Sequence, residues 1–254
     1  MKQTSRPLPW VESTRKAYAV STGHTDGALW SLLQLSDQFF PTGGFAFSHG
    51  LEAYVAEGLV HDRLSCQAWI CNIAWQSIGP CDLVYGAAAY RLAAADPPGL
   101  MALQRLDQLL AAVKMPRELR QESQHTGQAF LRAAMALAPA PLVQDLWAQV
   151  QSGATPGHHA LVFGCVAQSR GITLESALLA YLYSVLAGLV AAALRLAPLG
   201  QSDGQRLLHD LGPLSHDLMA TYGAQQPEDV WSATPALEIR SMQHERQYSR
   251  LFRS

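Results

Sequence analysis

From Ser176 to Leu194 the chain reads SALLAYLYSVLAGLVAAAL, nineteen residues without a charge. A run of that length either crosses a bilayer or is enclosed by protein. The second reading fits better. The run is rich in alanine, holds Ser184 and Gly188, and carries Tyr181 and Tyr183 in its first half. It also lacks the basic flanks that set a membrane topology. A helix apolar on all sides suits the centre of a large helical bundle, and its alanines let neighbouring helices come close. The run gains Arg195, stops at Pro198, and Thr173 is placed to cap its start.

The rest of the sequence reads as helices separated by proline and glycine. Helices are expected over 27–35 with Asp26 as N-cap, 50–57 with Ser48 as cap, and from Asp62 to a stop at Gly79-Pro80. In that last helix Leu64, Ala68, Cys71, Trp75 and Ile78 recur at helical spacing. Further helices are expected over 82–95, from Leu100 to Val113, over 117–138 after Pro116, over 142–151, and over 158–170 with Gly171 as the stop. Beyond the polar turn 199–205 come two short helices, 204–211 and 214–222, parted by Gly212-Pro213. No segment alternates apolar and polar residues as a half-buried strand does. The fold class is therefore all-α: a single-domain bundle of about ten helices around a central apolar helix at about 174–197. The domain covers 27–235, preceded by a flexible arm over 1–26 and followed by a tail over 236–254.

Composition sets limits on function. The chain has 254 residues, 49% hydrophobic and 15% charged, with a net charge of −2. Nothing basic marks a nucleic-acid surface. The first residues are polar and have no apolar core of a signal peptide, and four cysteines without CxxC spacing fit buried thiols in a reducing cytoplasm. The only lysines are Lys2, Lys16 and Lys114, and Met115 follows Lys114, so no phosphate-cradling GxxxxGK[ST] loop exists. HExxH is absent as well, and no Ser sits in a GxSxG nucleophile elbow. His158 and His159 point about 100° apart on a helix and cannot easily share a metal. Cys66 and Cys71 read as core. His49, in a glycine-rich loop, is the best remaining metal candidate, and alone it is weak evidence. No catalytic residue, metal site or cofactor is assigned.

Two stretches carry more polar chemistry than a linker needs. In Gly200-Gln201-Ser202-Asp203-Gly204-Gln205, Asp203 could cap the next helix or the stretch could bind a partner. Arg195 and Arg206 flank it. Each reads either as a salt bridge at a helix end or as an arginine offered to a nucleotide held by a partner. The tail mixes Arg240, Arg246, Arg250 and Arg253 with Tyr248, Leu251 and Phe252. Tyrosine and arginine dominate protein–protein hot spots, so the tail is expected to dock on a partner or to fold back on its own domain.

Four blocks together resemble the F-type urease accessory proteins: Leu32 to Glu52 (LLQLSDQFFPTGGFAFSHGLE), Ala180 to Ser184 (AYLYS), Pro198 to Arg206 (PLGQSDGQR) and Ser241 to Ser254 (SMQHERQYSRLFRS). They occur in that family's order, and the likeness runs from about Leu29 to Ser254, loosely over 92–157. The resemblance implies an all-helical, cytoplasmic homodimer that is not an enzyme. It implies a chaperone that works with a D/H-type accessory protein and a G-type accessory GTPase to insert nickel into apo-urease. Carried over by block, Arg240, His244, Glu245, Arg246, Tyr248, Arg250, Leu251, Phe252 and Arg253 would face the D/H-type protein. Gly200, Gln201, Asp203 and Gln205, with Phe45, Ser48 and Glu52, would face the dimer or GTPase surface. The alternative is a GTPase activator supplying Arg195 or Arg206 in trans.

Overall fold

The computed structural model describes residues 24–232, 234–244 and 252. Every regular element among them is helical: α1 (His24–Ser36), a 3-10 turn (Gly44–Ala46), α2 (Leu51–Ala56), α3 (Arg63–Ile73) running on through a π-helical segment (Ala74–Leu83) into α4 (Val84–Ala93), then α5 (Leu100–Val113), α6 (Arg117–Leu137), α7 (Pro141–Gln151), α8 (His159–Ser169), α9 (Leu174–Leu196), α10 (Gln201–Tyr222), a second 3-10 turn (Pro227–Asp229) and α11 (Pro235–His244). The all-α bundle read from the sequence is the observed architecture.

The apolar run forms α9, capped by the Thr173 hydroxyl, which accepts the Ser176 N–H. It packs on α1, α8 and α10. It is long and apolar enough for a bilayer span, yet 61% of its most apolar window is buried in protein. The expectation of burial on all sides needs correction, because Leu179 is 38% and Tyr183 50% exposed. Leu29, Trp30 and Leu33 of α1 are exposed as well, so this side of the bundle presents apolar groups to water.

Two proline breaks do not occur. Gly79-Pro80 lies inside the π segment, where the wider turn absorbs the missing N–H that would end an α-helix. A Cβ at Gly79 would come within 2.6 Å of the Tyr222 ring, so α10 seats directly on this turn. Gly212-Pro213 lies inside α10, which continues to Tyr222. The π segment also explains a misplaced face. Its extra residue rotates the helix, so a stripe traced back from Ile78 at α spacing lands on exposed Leu64 and Ala68, whereas Cys66, Trp69, Ile70 and Ile73 point inward. Asp62 does cap α3, accepting the Ser65 N–H. At the N-terminal end α1 begins at His24, so Asp26 falls within it rather than at its cap.

The tightest helix contacts depend on missing side chains. Gly164 of α8 rests against the Gly86 carbonyl of α4. Gly127 of α6 faces the Gly157 carbonyl, and a Cβ there would collide with that oxygen and stand 2.6 Å from the His159 nitrogen. Both obstacles are backbone and cannot rotate away. Gly127→Ala is therefore expected to cost about 3 kcal/mol, the upper end for overpacking, although alanine favours helix, and urea titration would measure it.

The start of α8 is held by a buried carboxylate. Asp107 of α5 is fully enclosed and accepts the Thr155 hydroxyl at 2.6 Å, the Gly157 and His158 N–H groups, and His158 Nδ1 at 2.7 Å. Burial alone would raise this carboxyl. The hydrogen bond and charge of His158, then Thr155 and Gly157, outweigh it and hold the carboxyl below its ordinary range. His158 is thus a structural histidine.

Candidate functional site

Four sequence-selected residues meet around Arg195 near the end of α9. Its Nη1 donates to the Phe45 carbonyl at 2.6 Å and its Nε to Ala191 at 3.1 Å. The guanidinium lies 3.7 Å from the Phe45 ring centre and 4.3 Å from that of Phe252. Stacking of this kind uses the flat cation rather than a counter-ion. The Phe252 N–H donates to Glu52 Oε2 at 3.1 Å, and its ring is buried. Loop, central helix and tail therefore share one knot. Ser48 is fully buried beneath it, and its Oγ stands 3.5 Å from the Glu52 N–H at the start of α2.

The loop presents two aromatic side chains to water. Phe45 is 74% and Phe39 95% exposed. An Asx turn, in which the Phe39 N–H donates to Asp37 Oδ1 at 2.8 Å, fixes the loop here. Phe39 was not selected from the sequence; its signal was an aromatic pair, Phe39-Phe40, directly before Pro41-Thr42-Gly43-Gly44, of which only Phe40 enters the core.

Arg240 lies apart from this knot. It reaches Glu57 Oε2 through Nε and Nη2, at 3.2 and 2.7 Å, and covers the Tyr54 ring at 4.4 Å. With Leu237 and Ser241 buried, this seats α11 on the domain, its Ile239 and Met242 left facing water. His244 ends α11. The expectations for Glu245, Arg246, Tyr248, Arg250, Leu251 and Arg253 lie outside the described residues.

The stretch 200–205 is a correction. It is the first turn of α10 rather than a free turn: Gly200 is the N-cap, and Asp203 accepts the Gly200 N–H at 3.1 Å from inside the helix. A helix start needs an acceptor near its free N–H groups, and the third helical residue supplies it here. Gln201 and Gln205 are exposed, and Gly204 lets Leu194 pack closely. Arg206 is 68% exposed, with Asp203 at 3.5 Å.

A cavity of about 610 Å³ opens beside the knot, between the 37–45 loop and the α9 flank from Ser184 to Arg195. At its floor Lys114 Nζ meets Asp82 Oδ1 at 2.7 Å, and Tyr181 also hydrogen-bonds Asp82. Burial disfavours the lysine's charge, but Asp82 outweighs it and holds the ammonium above the ordinary lysine range. His49 pairs with Glu122 at 2.8 Å. Among the described residues no three ligand-type side chains gather as a metal would need. The sequence missed this floor because its members come from the π segment, the α5–α6 link, α6 and α9.

Comparison with known proteins supports the family resemblance. The family model described as UreF matches residues 60–212. A urease accessory protein UreF of Arthrobacter sp. (strain FB24) is 37% identical over 224 residues, covering 88% of this chain and 96% of that protein. One from Bacillus sp. (strain TB-90) is 34% identical, covering 89% and 99%. One from Granulibacter bethesdensis is 35% identical, covering 93% and 98%. With matches of this extent, the chain belongs to the UreF family of urease accessory proteins.

Proposed function

We propose that this chain is a non-catalytic chaperone of urease maturation, a cytoplasmic homodimer that holds a G-type accessory GTPase and a D/H-type accessory protein together so that nickel enters apo-urease. The observation that carries the reading is the composite surface at Arg195, where bare Phe39 and Phe45, the flank of α9 and the tail residue Phe252 adjoin. Exposed aromatic groups beside an arginine are the usual material of a protein–protein hot spot. The sequence has no loop that grips a triphosphate, so GTP chemistry falls to the partner. The exposed apolar groups of α1 and α9 offer a second face, suited to the copy-to-copy contact. Gating by GTP requires that the surface bind the GTP and GDP forms of the partner unequally.

Removal of residues 245–254 tests the assignment of the tail. It leaves α11 and its buried Leu237 and Ser241 in place. The expected result is loss of co-purification with the D/H-type protein and unchanged helical circular dichroism. Undiminished co-purification would remove the tail from the partner surface.

A further inference from the structure

Apolar side chains flank the seam between α1 and α9 on its outer side. Leu29, Trp30 and Leu33 share one side of α1, and Leu179 and Tyr183 one side of α9, at the spacings that align side chains on a helix. The two helices pack on each other. Gln38, just past α1, donates to the Ser184 carbonyl beside Tyr183 at 3.2 Å. The edge of this face is acidic. Glu175 lies one turn before Leu179, and Asp37 directly follows α1. Both are exposed, and among the described residues neither is in a salt bridge.

The chain holds a segment of complementary chemistry that joins this face at its start. Residues 1–23 run directly into α1, which begins at His24. They carry Lys2, Arg6, Arg15 and Lys16 against Glu12, a net of +3. Residues 245–254 carry Arg246, Arg250 and Arg253 against Glu245, a net of +2. The whole chain stands at −2, which leaves −7 on residues 24–244. A basic segment tethered to an acidic body is drawn back onto it. The tail is committed elsewhere, because its Phe252 is buried in the knot at Arg195. The arm supplies, besides charge, the apolar groups Trp10, Tyr18 and Val20. Its reach is sufficient. At about 3.3 Å per extended residue, Tyr18 can stand up to about 20 Å from His24 and Trp10 up to about 46 Å. With a rise of about 1.5 Å per residue, Leu29 and Leu33 lie only about 8 and 14 Å along α1.

We infer that the arm folds back within the same molecule, laying Trp10, Tyr18 and Val20 over the α1–α9 seam with its cations at the acidic edge. The chain thus carries its own cover for its most apolar face. In the homodimer proposed above, the arm must leave this face before a second copy can use it. That consequence, unlike the cover itself, rests on the proposed function.

The test uses the full chain with one thiol probe per helix, Leu33→Cys or Leu179→Cys, at positions already exposed. The rate of alkylation at the probe is read by peptide mass spectrometry over a range of protein concentrations. Adding Trp10→Ser, Tyr18→Ser and Val20→Ser to the arm is expected to speed alkylation about tenfold, the factor set by a cover closed about nine-tenths of the time. Arg15→Glu with Lys16→Glu should also speed it, and about 1 M sodium chloride should shrink that second effect, because the charges are then screened within about 3 Å. A probe on α5, Met101→Cys, should keep one rate throughout, and circular dichroism should not change. Equal rates with and without the arm substitutions would overturn the cover. Protection that disappears on dilution and ignores those substitutions would overturn it too, and would assign the face to a second copy. Sedimentation of the same chains tests the homodimer separately. The arm variant should associate at lower concentration, whereas no association by either chain would remove the homodimer and leave the alkylation result standing.

Discussion

Asp107→Ala is expected to lower the unfolding free energy by about 3–5 kcal/mol, as measured by urea titration. The substitution strands four donors in a region closed to water: the Thr155 hydroxyl, the Gly157 and His158 N–H groups, and His158 Nδ1. Each loses the acceptor that replaced its hydration, and an orphaned buried donor costs more than an average hydrogen bond yields. The loss falls on the entry to α8, so contacts of α6 and α4 with that helix weaken together. Asp107→Asn keeps one carbonyl acceptor and should lose less. The carboxyl is depressed in the folded protein, so its contribution is present above the ordinary carboxylate value and is lost as pH falls through the lower folded value. The gap in stability between wild type and Asp107→Asn should therefore be constant near neutrality and narrow below about pH 4. A gap that widened on acidification would contradict the assignment.

The second large effect belongs to Lys114→Met. Methionine fills much of the lysine's volume, but Asp82 would remain in the interior without its cation, 2.7 Å from where the ammonium stood. Removing one partner of a buried pair costs about 3–5 kcal/mol, whereas replacing both by apolar groups is often neutral. The double variant Asp82→Leu/Lys114→Met should thus be more stable than Lys114→Met alone. Urea titration of the two variants and the wild type checks this, and a double variant no better than the single one would show that the pair is not the source of the loss.

Helix identity was legible because it rests on local chemistry. Thr173 and Asp62 cap where side-chain oxygens meet free N–H groups, and Gly171 stops α8 at a φ of 69°. The two proline errors share a cause. Proline forbids one hydrogen bond, and a sequence does not reveal whether a neighbouring helix will stabilise the distorted turn that survives it. At Gly79 that neighbour is Tyr222, far along the chain. The site was legible in part. Phe45, Glu52 and Phe252 were found as members of blocks, but the sandwich that joins them depends on the spatial position of Arg195. Lys114 carried a signal that went unused, as one of three lysines and the only one inside the helical domain. The cavity had no signal at all, because its lining comes from segments that no periodicity connects.

The bare flank of α9 has a consequence for biogenesis. This helix has a mean hydropathy of 2.1 over its most apolar window, so while it leaves the ribosome, before α10 and α11 exist, it is chemically a substrate for membrane insertion. Docking on α1, α8 and α10 is what takes most of that surface out of water, so a substitution that weakens any one of these three seams exposes the most apolar helix of the described chain.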